Sequence, residues 1–369
     1  MDIVDKYMVL YCHLLNLGKR LQLMAEFVSK MVWWWIWPVL PLLSFVAVGL
    51  IRRLTLKLKL MDQPNARSSH QIPVPIGGGL GIVLVFLVGM VFLYASEQLS
   101  PKVFWGLFVS GAGVALVGIA DDMVQVRARW RLLFHFAFVG WFLLWTGGLP
   151  VLELSGMKWN LGWIGDIFSL FFLVWMLNLY NFMDGIDGIA GVEAITSAGT
   201  VSLLTGFMVN GSWQLPLILM LSTLGVLFWN WPPAKIFLGD VGSGFLGFIL
   251  GALALIHGKE LPELFWCWII LLGVFITDAT FTLARRIIRM QRFYIAHRCH
   301  AYQYASRLFS SHRKVTISVF TINVCWLSPW ALAVAFHWVD SILALMMAYL
   351  PLVVLAFRFK AGAAELQEV

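Results

Sequence analysis

Residues 164–209 read IGDIFSLFFLVWMLNLYNFMDGIDGIAGVEAITSAGTVSLLTGFMV. Two apolar runs, 164–181 and 188–209, each approach the roughly 20 residues that a helix needs to cross a bilayer. Between them stands NFMDGIDG, in which Asp184 and Asp187 are each followed by glycine. That pairing predicts two membrane-crossing helices joined by a short polar turn. The same reading extends both ways along the chain. Apolar runs at 32–51, 77–95, 103–120, 132–149, 214–231, 242–257, 262–284, 315–338 and 340–358 bring the expected spans to about eleven. The run at 242–257 is the shortest. The fold class expected is an all-α polytopic membrane protein.

Composition agrees. Of 369 residues, 60% are hydrophobic and 12% charged, and the mean hydropathy is +0.84. Soluble domains carry about 25% charged residues, so a soluble enzyme, a disordered tail and a nucleic-acid-binding domain are excluded. The 19 Trp and 28 Phe suit lipid-facing and interfacial positions. Cys12, Cys267, Cys299 and Cys325 form no CxxC pair, which argues against a zinc site or disulfide framework. GGGLG at Gly77–Gly81 lacks the preceding strand of a dinucleotide site.

The net charge of +7 is loop charge. If 52–76 is cytoplasmic, Lys and Arg number five in 52–76, three in 121–131, one in 230–241, eight in 285–314 and two beyond 357. Those 19 stand against Lys102, Lys158 and Lys259 in the opposite loops. The positive-inside rule then predicts an N-out, C-in chain. Residues 1–31 read as an interfacial segment or an extended start, 32–358 as one transmembrane catalytic domain, and 359–369 as a cytoplasmic tail. The catalytic domain's expected cytoplasmic loops are 52–76, 121–131, 181–190, 230–241 and 285–314.

The acids carry the functional signal. Asp62, Asp121, Asp122, Asp184, Asp187 and Asp240 all fall in the expected cytoplasmic loops or at their helix ends, and the positive-inside rule does not account for acids. Five motifs hold these acids or lie beside them. DQPNARSSHQIPVPIGGGLG (Asp62–Gly81) offers Arg67 and His70 to a phosphate. GIADDMVQVRARWR puts Asp121 and Asp122 at a helix C-terminus, where two like charges oppose the helix dipole. A cation, or a partner among Arg127, Arg129 and Arg131, would relieve that cost. NLYNFMDGIDGIAG sets Asn181, Asp184 and Asp187 at three-residue spacing, as oxygen donors suited to a hard cation. NWPPAKIFLGDVGSG places Asp240 and Ser243 at a helix start, either as a phosphate site or with Asp240 as N-cap. RRIIRMQRFYIAHRCHAYQYASR brings His297, Arg298 and His300 together as diphosphate holders. Five polar motifs on one side of a single topology argue for one active site at a membrane interface.

At these residues the chain resembles the bacterial polyprenyl-phosphate N-acetylhexosamine-1-phosphate transferases of glycosyltransferase family 4. That superfamily includes the peptidoglycan phospho-MurNAc-pentapeptide translocase. The carrying strings are DQPNARSSH, the Asp121–Asp122 pair, NFMDGIDGIAG, FLGDVGSGFLGF and HRCHAYQ, spread from Asp62 to Gln303. HRCHAYQ departs from the triple-His form of the peptidoglycan enzyme and looks more like the branch that starts O-antigen or related envelope polysaccharides.

The resemblance implies an enzyme of the bacterial inner membrane that depends on Mg2+, with Mn2+ as a substitute. It would take a UDP-N-acetylhexosamine and undecaprenyl phosphate and release UMP. Asn181 and Asp240 would hold the metal. Asp121, Asp122, Asp184 and Asp240 would be the catalytic acids. Asp187, Asn230 and Phe237 would contact uridine. Ser243, His297, Arg298 and His300 would hold the diphosphate and sugar, and Asp62, Arg67 and His70 would meet the lipid phosphate. Membrane lipid is an expected partner, nucleic acid is not, and a homodimer is implied by the family alone.

Three other readings predict different features. A lipid or ion transporter needs acids deep in the spans, where Asp278 and Glu193 stand without an obvious partner. A CDP-alcohol phosphotransferase needs an Ala-Arg pair after Asp184-Gly185, which the chain lacks. An inactive scaffold of the same fold would have lost acids that are all present.

Overall fold

The computed structural model describes residues 37–63, 72–154, 156–208, 213–291 and 298–363. Helices dominate. They are α1 (Trp37–Lys57), α2 (Leu80–Ala95), α3 (Pro101–Val124), α4 (Ala128–Thr146), α5 (Gly162–Met183), α6 (Ile189–Met208) and α7 (Gln214–Asn230). Then come α8 (Asp240–Glu260), α9 (Pro262–Leu271), α10 (Gly273–Ile288), α11 (Ala301–Phe309), α12 (His312–Ile322), α13 (Ser328–Ala335) and α14 (Ser341–Arg358). A π-turn at Asn323–Leu327 joins α12 to α13. Among the described residues, each of the eleven expected spans overlaps a helix or a pair of successive helices. Among the described residues, seven single helices or continuous helical segments are long and apolar enough to cross a membrane, and eight if the bent pair α9–α10 counts as one. The polytopic class is therefore shown, while α2 and α7 are shorter apolar helices of 16 and 17 residues.

Local chemistry sets several boundaries. The Ser100 hydroxyl accepts the Val103 N–H and Pro101 opens α3, a strong start signal. Asp340 caps α14 by accepting from Ile342 and Leu343. The helices overrun the expected loops. Arg52, Arg53 and Lys57 ride on α1, Asp121 and Asp122 on the last turns of α3, and Asn181 on the last turn of α5. The loop expected at 181–190 shrinks to residues 184–188 between α5 and α6.

Three expectations need correction. The run at 262–284 is not one straight span: it breaks by 68° between α9 and α10. The short run at 242–257 extends to Asp240–Glu260, and its whole apolar window is buried in the bundle. α8 is the central helix, packed by α3, α5 and α9; it is buried from Val241 to Gly258, and its polar residues Asp240, Lys259 and Glu260 stand at the less buried ends. The class is also not wholly α. Two antiparallel two-stranded ladders are present, β1 (Met61–Asp62) with β2 (Val74–Pro75) and β3 (Leu152–Leu154) with β4 (Met157–Trp159).

The two intramembrane acids have partners after all. Glu193 Oε2 accepts from Asn323 Nδ2 at 2.7 Å. Asp278 accepts the backbone N–H groups of Ala301 and Tyr302 at 2.9 and 3.0 Å and faces His300 Nδ1 at 3.2 Å. Asp278 thus caps α11 from a neighbouring helix.

The GGGLG run has a packing role. Gly78 and Gly79 N–H donate to the carbonyls of Phe237 and Leu238 at 2.8 and 2.9 Å. A Cβ on Gly79 would lie 2.1 Å from the Gly242 Cα. Only glycine lets the start of α2 approach the start of α8 this closely.

Candidate active site

Alternating helices bring like-placed ends together. The C-terminal ends of α3, α5 and α7, the N-terminal ends of α4, α8, α11 and α12, the turn between α5 and α6, and residues in and beside the β1–β2 ladder surround one cavity of about 540 Å³. Asp62 comes from the first motif, Asp121 and Asp122 from the second, and Asn181, Asp184 and Asp187 from the third. Asn230, Phe237, Asp240 and Ser243 come from the fourth. Among the described residues of the fifth motif, Gln303 lines the cavity and the basic residues do not. Arg298 and His300 do not line the cavity, and His300 is buried against Asp278. Arg67, His70 and His297 lie outside the described residues.

The centre is a four-residue network. Arg131 pairs with Asp121 and also reaches Asp240 Oδ2 at 3.3 Å. Asn181 Nδ2 donates to the other oxygen of Asp240 at 2.8 Å. Arg131 thereby answers the repulsion expected of adjacent acids.

Asp122 is held differently. It accepts the backbone N–H groups of Asp240 and Val241 at 2.8 and 3.2 Å. The next two N–H groups of α8, on Gly242 and Ser243, donate to the Gly239 carbonyl. The start of α8 is thus occupied, which corrects the expectation that it presents free N–H groups to a phosphate. Asp240 is not the N-cap either: its place is the first helical position, and Asp122 caps α8 from α3. Gly239 makes room for this, with φ +74° and a Cβ position only 2.5 Å from Asp122 Oδ2. The Ser243 hydroxyl donates to the Gly239 carbonyl at 3.2 Å.

Asn230, also in the lining, is buried and spends its amide internally. Its Nδ2 donates to the Ile236 carbonyl and its Oδ1 accepts from Gly188 N–H, each at 3.0 Å. Asp187 accepts from Ala234 N–H at 3.0 Å and lies 3.3 Å from His312 Nδ1. Phe237 is fixed through its backbone, with its N–H on the Pro75 carbonyl at 2.8 Å. Tyr302 donates its hydroxyl to the Phe182 carbonyl at 2.9 Å, docking α11 onto the end of α5.

Six aspartates face Arg131 and His312 across the described lining. Enclosure, and after it the carboxylates of Asp240, Asp187 and Asp122, hold the Asp184 carboxyl well above the usual carboxylate range. Such a surplus of carboxylate suits a divalent cation that arrives with an anionic ligand. Among the described residues no three His, Cys, Asp or Glu side chains form a ready metal cage. Mg2+ characteristically uses one or two protein carboxylates and completes its shell with water and phosphate oxygens. The Asp240 carboxylate with the Asn181 amide beside it fits that mode, given a turn of the amide that presents its oxygen in place of the nitrogen now on Asp240.

Arg131, Gln303, His312 and Gln125 line the cavity without having been assigned to it from sequence. Arg131 and Gln303 stood inside quoted motifs. His312 stood at a span boundary with no pattern to distinguish it.

The glycosyl transferase family 4 model matches residues 104–258, which carry the second, third and fourth motifs. The phospho-N-acetylmuramoyl-pentapeptide-transferase of Desulforamulus reducens is 30% identical over 242 residues, covering 58% of this chain and 70% of that protein. The "Probable undecaprenyl-phosphate N-acetylglucosaminyl 1-phosphate transferase" of Bacillus subtilis (strain 168) is 27% identical over 75% of this chain and 78% of its own length. The undecaprenyl-phosphate alpha-N-acetylglucosaminyl 1-phosphate transferase of Thermotoga maritima is 25% identical over 75% of this chain and 84% of its own. With the motifs of those alignable regions gathered around one acidic cavity, the chain belongs to glycosyl transferase family 4.

Proposed function

We propose that this protein transfers an N-acetylhexosamine 1-phosphate from a UDP-sugar to undecaprenyl phosphate. UMP leaves, and the sugar is left on the lipid through a diphosphate. In this reading a phosphate oxygen of the lipid attacks the β-phosphorus of the donor, and the bond from that phosphorus to the oxygen kept by UMP breaks. The observation that carries the proposal is the meeting of motif-bearing helix ends around six aspartates and one guanidinium. The names of the relatives support the same reaction class. We further propose that the cavity faces the cytoplasm of a bacterial inner membrane, and that the product starts O-antigen or a related envelope polysaccharide.

Asn181 and Asp240 would hold Mg2+, or Mn2+ in its place. Bound there, the cation would neutralise charge developing on the leaving phosphate. Arg131 is positioned to exchange a carboxylate for a diphosphate oxygen, a planar fork well matched to either. Asp121 keeps that guanidinium aimed into the cavity. Asp122 serves by holding α8, and with it Asp240, in place. Phe237 offers a stacking face to uracil, and Asp187, in the same lining, a further contact to uridine. A phosphate monoester is largely ionised at neutral pH, so the attack needs no strong base.

Detergent-solubilised protein, Mg2+, undecaprenyl phosphate and a panel of UDP-N-acetylhexosamines form the test, with UMP release as the readout. Release that requires the lipid, is abolished by EDTA and is lost in Asp240→Ala is the expected result. The preferred sugar would name the pathway. Folded protein that releases no UMP with any sugar overturns the proposal.

A further inference from the structure

α12 reaches the cavity through His312, a residue outside all five motifs. Its ring meets Asp187 at two points. Nδ1 lies 3.3 Å from the carboxylate Oδ1, and the Asp187 backbone N–H points at the same nitrogen from 3.5 Å. One turn along the same helix face, Thr316 donates its hydroxyl to the Asp187 carbonyl at 2.8 Å. The other carboxylate oxygen accepts from Ala234 N–H at 3.0 Å. Asp187 is therefore gripped by α12 on one side and by the loop after α7 on the other. The side chains of Asp187 and His312 are 12% and 20% exposed. In so shielded a place a hydrogen bond to a carboxylate fixes orientation more firmly than it would in water.

We infer that His312 is a positioning residue for the nucleotide end of the site. We assign the Nδ1 proton to Oδ1, the nearer and charged neighbour, in preference to the tautomer in which Nδ1 accepts the more distant Asp187 N–H. That bond holds Asp187 in the orientation that meets the donor's uridine. The inference rests on the reading of Asp187 as a uridine contact. It assigns His312 to donor affinity rather than to the phosphoryl step, because the groups facing the diphosphate are held by other residues.

Two variants separate hydrogen bonding from packing. His312→Phe keeps a ring but loses the donor. His312→Asn loses the ring but keeps an N–H donor near the Nδ1 position. His312→Phe is expected to raise the donor KM by about tenfold, the scale of one lost hydrogen bond to a carboxylate, with kcat within about twofold. The KM for undecaprenyl phosphate should not move. His312→Asn should stay within about threefold of the wild type in every constant. Calorimetry of UDP binding in the presence of Mg2+ should show the same weakening in His312→Phe. Adding His312→Phe to Asp187→Asn should cost little more, since contacting residues do not act additively. The inference is overturned if His312→Phe leaves donor KM and UDP affinity unchanged, or if kcat and both KM values worsen alike. A wild-type protein that binds no UDP overturns the uridine reading itself. Wild type and His312→Phe binding UDP equally overturns only the role of His312.

Discussion

Arg131 is held by two carboxylates, and Asp121, its closer partner, is almost wholly buried. Removing the guanidinium strands that acid. Arg131→Met should therefore lower stability in detergent by roughly 1–3 kcal/mol, less than a fully buried pair because Arg131 itself is partly solvated. Adding Asp121→Asn should restore most of the loss without restoring UMP release. Thermal melting of the two variants checks this, and no recovery in the double variant would mean that the pair does not carry the effect. Asp184 gives a prediction with a sign. Its carboxyl is held above the usual range by enclosure and by neighbouring acids, so the folded chain binds a proton there that the unfolded chain has lost. Stability should then fall as pH rises above the ordinary carboxylate range towards the raised value. In EDTA, Asp184→Asn should melt higher than the wild type at pH 8 and show a shallower decline with pH. A wild-type melting temperature independent of pH, or an Asn variant that melts lower, would contradict it.

Among the elements, α8 decides most. Its N-terminus is capped by Asp122 from α3, and its first turn presses against the start of α2. Gly79→Ala must force those starts apart, because the nearest atoms are backbone. It should cost at least 1–3 kcal/mol and disturb the cavity, since Gly79 also anchors the Leu238 carbonyl. Gly140 in the interior of α4 is the control, with nothing near an added Cβ. Gly140→Ala should be neutral or stabilising by up to about 1 kcal/mol, through helix propensity alone. Equal effects of the two substitutions in a melting experiment would show that the α2–α8 approach is not tight.

For the whole molecule the open quantity is the direction of insertion. The distribution of 19 basic residues against three predicts that the cavity face is cytoplasmic. In a chain with its native cysteines replaced, Lys158→Cys should react with an impermeant maleimide on intact cells. Arg313→Cys, beside the cavity residue His312, should react only after permeabilisation. The opposite pattern would place the acids outside the cell, away from nucleotide sugars, and would remove the proposed donor.

Much of the architecture was legible in the chain itself. Lipid demands long apolar runs, so the eleven helical segments stood out, and acids that no membrane rule explains marked the ends that would matter. Asp62, Asp121, Asp122, Asn181, Asp184, Asp187, Asp240 and Ser243 stand out in the motifs, the resemblance adds Asn230 and Phe237, and all line one cavity. What those residues do to one another was not legible. Sequence spacing cannot say that Arg131 reaches Asp240 across 109 residues, that Asp122 caps a helix 118 residues away, or that His312 grips Asp187. Nor could it say that His300 turns inward to Asp278, or that the shortest apolar run is the central helix. The reason is physical. Hydropathy and local motifs record whether a residue meets lipid, water or its own helix. Pairing between distant helix ends is set by how the bundle packs, and only the tertiary structure decides it.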